Sequence, residues 1–199
     1  MKVSHSIGED TLDKRERIIQ AAIEVFREHG IEKTKISDIV KKAQIAQGTF
    51  YLYFPSKLSV MPAIAEKMAA RMEGAIRQSV DSQKEWTGQL REMIGAVFTV
   101  TGEYRDVSAL VYAGLSATEH VREWEDIYRP LYMRVATIIE EWEREGGVRK
   151  TDPHRTARLL IGLAESAAEQ VYLFDSFDPA EEQKQQEAVY EFVINALRM

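Results

Sequence analysis

Between Gln47 and Lys57 the chain reads Gln-Gly-Thr-Phe-Tyr-Leu-Tyr-Phe-Pro-Ser-Lys, in which an amide, hydroxyls, phenols and one ammonium are set among aromatic residues. If Phe50 and Phe54 point inward from a short helix, Gln47, Thr49, Tyr51 and Tyr53 are left on or beside its outer face. Such groups on a rigid support suit base edges and phosphate oxygens, with Lys57 supplying charge just beyond them. A second group is Glu165 and Glu169, one helical turn apart in a stretch otherwise rich in Ala, Leu and Ile. Either carboxylate, placed in a cavity, would favour a cationic ligand, but a pair of this kind ordinarily faces water, and that is the expectation here. His120, beside Glu119, could line the same space or sit at a helix start.

Catalytic chemistry finds little support. The chain has no cysteine, which excludes a disulfide scaffold, a thiolate zinc site and a cysteine nucleophile. None of His5, His29, His120 or His154 has a glutamate three residues before it, so the Glu-x-x-His pairs of a di-metal helical bundle are missing. No catalytic residue, metal or cofactor is expected. The formal charge of -6 conceals an asymmetry, with +2 in residues 1–57 and -8 in residues 58–199. The two parts therefore favour different partners. No apolar run is long enough to span a bilayer, and acidic Glu9 and Asp10 interrupt the start of the chain, so neither a membrane partner nor a signal peptide is expected. The reading is a soluble, cytoplasmic protein.

The elements that must position these groups are helical from Asp13 onward, with no convincing strand, so the fold class is all-α. Ile18, Ile19, Ala22, Ile23, Val25 and Phe26 mark one face of a first helix that Gly30 stops. Thr34 is a cap candidate for a short helix carrying Ile36, Ile39, Val40 and Ala43, and a third helix spans about 46–53. With Ile45, Phe50 and Phe54 these residues form an interior that locks the short helices on the first one, because neither is stable alone. Downstream, Ser56 is the cap candidate of a helix to about residue 78, followed by helices over about 86–101, 104–117 and 121–145, the last stopped by Gly146 and Gly147. Asp152-Pro153 and Asp178-Pro179 each place an acceptor at a cap and a proline at the first helical position, opening helices over about 153–174 and 180–197. Glu181 completes a capping-box pattern with Asp178. Pro62 falls inside the helix opened by Ser56, where it would kink the helix and could act as a hinge.

The segment Ser37-Asp-Ile-Val-Lys-Lys-Ala43, the supporting helix from Ile19 to Gly30, and above all Gln47-Gly-Thr-Phe-Tyr-Leu-Tyr-Phe-Pro-Ser-Lys57 resemble the TetR family of bacterial transcriptional regulators. The resemblance covers the first third of the chain in detail. It implies a small three-helix DNA-binding domain in residues 1–58, with an N-terminal arm over 1–12, and a larger helical effector-binding and dimerisation domain in residues 59–199, about nine helices in all. It further implies backbone-positioning roles for Thr49, Tyr51, Tyr53 and Lys57, groove-facing roles for Gln47 and Gly48, and contributions from Lys35 and Ser37. Gln44 stands where relatives often have glycine, Ala46-Gln47 where they often have Ser-Lys, and Ser37 replaces the usual basic residue. These departures remove cationic contacts and lower the expected non-specific affinity.

The function this resemblance implies is a ligand-responsive, homodimeric repressor that binds a palindromic double-stranded operator and is released by a largely apolar small molecule. Candidate effector contacts are Phe98, Tyr104, Tyr112, His120, Trp124, Tyr128, Glu165, Glu169 and Tyr172. Gly162, Ala164, Ser166, Ala167 and Ala168, with the stripe Val189, Phe192, Val193, Ala196 and Leu197, could form a four-helix interface with a two-fold copy. The alternatives are a helical adaptor with a degenerate DNA-binding head and, more remotely, a helical-bundle enzyme.

Overall fold

The computed structural model describes residues 4–106, 123–174 and 178–198, and the expected helix over 104–117 lies largely outside them. Eight α-helices are described and no strand occurs among these residues: α1 (Ser4–Lys33), α2 (Ile36–Ala43), α3 (Gln47–Tyr53), α4 (Met61–Ser79), α5 (Trp86–Glu103), α6 (Glu123–Arg144), α7 (Pro153–Glu169) and α8 (Pro179–Leu197). The described residues up to Ala65 belong to one compact unit and those from Glu66 onward to a second.

In the first unit α1 begins at Ser4, so residues 4–12 are helical where an arm was expected. Extending a formed helix adds a hydrogen bond per residue without repeating the cost of nucleation. Gly30, at φ +72°, breaks the helical path as its sequence position predicts. Thr34 does not cap α2. Its buried hydroxyl donates to the Gly30 carbonyl at 2.7 Å, and the cap position is Lys35, whose N–H donates to Asp38 Oδ2 at 2.9 Å.

Two cations bracket α2. Arg17 donates to the carbonyls of Ala43 and Gln44 at its C-terminal end, while Lys57 Nζ donates to Ile31 O at 2.5 Å and Thr34 O at 2.9 Å ahead of its N-terminal end. Gln44 occupies the left-handed region at φ 55°. Ile18, Ile19, Ile23, Phe26, Ile39, Val40, Ala43, Phe50 and Phe54 are buried, and Ile36 and Ile45 are half-buried.

Pro62 is not interior to a helix. Ser56 and Ser59 exchange backbone and side-chain hydrogen bonds, residues Leu58–Val60 form a 3-10 turn, and α4 starts at Met61. Proline has no N–H to give the Leu58 carbonyl, so the Met61 N–H takes that acceptor in a tighter turn. Pro62 thus occupies a first-turn position, where its missing donor costs little, and the kinked-hinge reading loses its premise.

In the second unit α7 packs against α5, α6 and α8. Its buried face carries Ala157, Leu160, Ile161, Ala164, Glu165, Ala167 and Ala168, the small residues admitting neighbouring backbones closely. Trp142 of α6 is buried and donates from Nε1 to Gln89 Oε1 of α5 at 2.9 Å, while the Gln89 amide donates to the Lys84 carbonyl at 2.7 Å. The positive φ of Gly146 ends α6, and at Gly147 a Cβ would meet the Trp86 ring at 2.6 Å. Asp152 and Asp178 cap α7 and α8 by accepting from Arg155 N and Ala180 N. Glu181 pairs instead with Lys184 at 2.6 Å. Helix α7 ends at Glu169 and runs into a π-turn, Gln170–Phe174, where one continuous helix was expected.

Candidate DNA-reading face and effector site

Helix α3 is short and its only fully enclosed side chain is Phe50, whose ring lies 5.8 Å from that of Phe54. With Phe50 fixed, helical geometry turns Gly48 and Leu52 furthest from the interior, with Thr49 and Tyr51 at the flanks and Gln47 and Tyr53 nearest Phe50. Gly48 and Gln47 are exposed, the latter because it opens the helix, Tyr51 is 49% and Leu52 82% exposed, and Thr49 and Tyr53 are half-buried at the edges. Tyr51 is braced edge-on by Phe50 at 5.7 Å. Lys35 and Ser37 are exposed at the start of α2. Lys57 is half-buried, with two of its donors committed to the carbonyls of Ile31 and Thr34. Leu52 had no place among the expected contacts. Its signal was available in the helical spacing from Phe50, but an apolar residue between two tyrosines reads as packing.

The expected effector residues fall into three groups. Tyr112 and His120, and the side chain of Trp124, lie outside the described residues. Phe98 and Tyr104 are buried on and just after α5, and Tyr172, in the π-turn, lays its phenol on α5 so closely that a Cβ at Gly102 would stand 2.9 Å from its ring. The remaining three cluster. The buried Tyr128 hydroxyl of α6 donates to Glu165 Oε1 of α7 at 2.9 Å, and Glu169 is half-buried one turn further on.

Glu165 does not face water as expected: only 8% of it is exposed, because α7 turns it toward α6 with Ile161 and Ala168. Burial raises its pKa to about 7, a rise the Tyr128 hydrogen bond partly offsets and the Glu169 charge reinforces. Burial also raises the Glu169 carboxyl. Nearby Tyr132, with its ring 5.6 Å from that of Tyr128, is pushed up to about 12 by burial and then by the carboxylates of Glu165 and Glu125. The inner faces of α5, α6 and α7 thus combine aromatic walls with one carboxyl poised between protonation states. Thr101, on the same face of α5 as Phe98, adds a buried hydroxyl with no partner among the described residues.

The two roomiest of the described grooves mark the outer surface of this unit. One of about 980 Å³ runs between α4 and α6 past Ala69, Ala70, Pro130 and Met133, and none of the expected effector residues lines it. The other, about 490 Å³, lies between α7 and α8, where Leu159 is 74% and Phe192 66% exposed. Of the stripe on α8, Val189, Val193 and Leu197 are turned into the unit's own core, and Phe192 and Ala196 remain outside.

A helix-turn-helix whose second helix presents an exposed face, followed by a unit whose described residues are helical, defines a DNA-binding transcriptional regulator. Residues 18–66 match the model for bacterial regulatory proteins of the tetR family, and residues 90–197 match that for the tetracyclin repressor-like C-terminal domain. The chain belongs to the TetR family. An uncharacterized HTH-type transcriptional regulator of Bacillus subtilis, YvdT, is 40% identical over 164 residues, which is 82% of this chain and 84% of that protein. Among solved structures, the fatty acid degradation regulator FadR from Bacillus halodurans shares the fold with a TM-score of 0.76 at 21% identity, covering 93% of this chain and 96% of that one. FadR of Thermus thermophilus, a repressor solved with lauroyl-CoA, gives 0.70 at 23% identity, covering 90% and 93%.

Proposed function

We propose that two copies of this protein bind a palindromic operator, each presenting α3 to one half-site, and that a largely apolar small molecule seated among α5, α6 and α7 releases the complex. The observation that carries the reading is the exposed, uncharged outer face of α3, edged by Gln47 and Tyr51, over the buried Phe50. In this reading Gln47, Gly48, Thr49, Tyr51 and Tyr53 approach bases and backbone, Lys35 and Ser37 flank them, and Lys57, expected on phosphate, instead braces the approach to α2 through the carbonyls of Ile31 and Thr34. Residues 1–58 act as the reader and 59–199 as the effector and dimerisation part. The exposed Leu159 and Phe192 supply the apolar surface for the second copy. The protein works where DNA is, in the cytoplasm, and among the described residues no helix is long and apolar enough to cross a membrane.

Phe98, Tyr104, Tyr128 and Tyr172 form the apolar side of the effector site, with Glu165 and Glu169 as its acceptors and Tyr112, His120 and Trp124 as further members. Two ligand classes follow for trial: acyl-CoA thioesters, one of which the Thermus thermophilus neighbour holds, and lipophilic cations that a buried carboxylate would attract. Selection of bound duplexes from a random pool, followed by release titrations with both classes, tests the whole reading. A palindrome with half-sites about one helical turn apart is expected. Unchanged affinity for lipophilic cations in Glu169→Gln discards the cation class for that residue.

One observation favours a second reading. Helix α3 carries no charged residue, and Arg17 and Lys57 are turned to carbonyls, as an adaptor that has lost its DNA contacts would have them. Fluorescence anisotropy with random duplex at low salt separates the two, since an adaptor gives no binding.

A further inference from the structure

Leu52 is the most exposed large apolar side chain among the described residues, and it stands at the centre of the face that α3 turns outward. An apolar residue so placed contributes nothing to the interior, which Phe50 and Phe54 already fill. Its neighbours on that face are Gly48, one turn earlier, and Tyr51, held by Phe50. A side chain at Gly48 would meet only open space, so the glycine is not required by packing within the protein, and its bareness leaves the backbone uncovered one turn from Leu52. That uncovered backbone can come close to whatever lies opposite. Gln47 and Thr49 border the patch with an amide and a hydroxyl, and no charge lies anywhere on the helix. The face is thus an apolar centre with hydrogen-bonding edges, which makes phosphate a poor match and the floor of a major groove a good one. There the one apolar group that distinguishes a base pair is the 5-methyl of thymine.

We infer that Leu52, admitted by the bare backbone at Gly48 and flanked by Tyr51, reads the 5-methyl group of a thymine in each operator half-site. This rests on the DNA-reading function proposed for α3 and specifies what that helix recognises. Desolvating one methyl against Leu52 corresponds to about fourfold in affinity per half-site, and about fifteenfold when both half-sites contribute.

The test uses the full-length protein and the duplex recovered by selection. Each thymine is replaced in turn by deoxyuridine, which removes only the 5-methyl, and affinities are measured by anisotropy for the wild type and for Leu52→Ala. At 82% exposure, truncation of Leu52 leaves the fold intact, which thermal melting of the variant verifies. At one symmetry-related thymine pair, deoxyuridine should weaken the wild type by about fifteenfold and leave the already weakened Leu52→Ala variant unchanged. Indifference of the wild type to every deoxyuridine, or an equal loss in both proteins, overturns the inference while leaving the regulator reading standing. A selection that recovers no preferred duplex overturns both.

Discussion

In the head, Gln47, Tyr51 and Leu52 stand in solvent above a buried Phe50, whereas in the second unit Gln89, Thr101, Tyr128 and Glu165 are enclosed by helices. The head is apolar within and holds itself together partly by cations on backbone carbonyls, leaving side-chain polarity for an external partner. The second unit encloses polar groups that burial makes costly unless they are paired. Gln89 and Trp142 are paired with each other, and Gln89 with the Lys84 carbonyl, and they serve structure, while Glu165 has one hydroxyl donor among the described residues and keeps a raised pKa. An outward site tolerates sequence change at its tips, and an inward one couples any change to the stability of the fold.

The strongest way to break this contrast is to remove what supports the outward face. Phe50→Ala leaves every DNA-facing group in place but empties the core, and should cost about 3–5 kcal/mol and abolish operator binding, as measured by denaturant unfolding and anisotropy. Loss of binding without loss of stability would instead place Phe50 on DNA.

The inward site is sharpened by pH. Folded Glu165 keeps its proton to about pH 7, whereas the unfolded chain releases it near 4.5. Between those values the folded state binds more protons, so stability declines as pH rises from about 4.5 to 7 and levels off above, by an amount on the order of 3 kcal/mol. Glu165→Gln, whose amide oxygen can still accept from Tyr128, should flatten that decline in melting experiments run across the interval.

Two smaller changes address the head. Lys57→Met should cost about 2 kcal/mol, because two carbonyls lose a charged donor, and should leave the slope of log affinity against log salt unchanged. A slope reduced by about one unit would return Lys57 to the phosphate backbone. Gln44→Gly relieves a left-handed conformation in a residue with a side chain and should stabilise the protein by about 1 kcal/mol, seen as a raised melting temperature.

How far the sequence could be read depended on which kind of site was at stake. The face of α3 was legible because it needs only local features: once Phe50 and Phe54 are inside, the exposure of Tyr51 follows from helical geometry and that of Gln47 from its place at the helix start. The caps at Asp152 and Asp178 were legible for the same reason. Glu165 was not, since two glutamates one turn apart look the same whether α6 covers them or water does, and Tyr128 lies 37 residues earlier. Lys57 was misleading in another way, because its carbonyl partners lie 23 and 26 residues back along the chain. Leu52 was passed over because apolar type outweighed angular position.

The turning of Arg17 and Lys57 onto carbonyls, and the pairing of Lys42 with Glu24 and Glu28, also bear on how the protein searches a chromosome. Lys42 is neutralised by its two glutamates, whereas Arg17 and Lys57 keep their charge and spend only their donors on carbonyls. In the proposed DNA-reading role the long-range pull comes from the net +2 of residues 1–57, while uncharged α3 adds no phosphate grip of its own. Discrimination among sites then rests on how well the groove floor fits α3, and so on the dissociation rate.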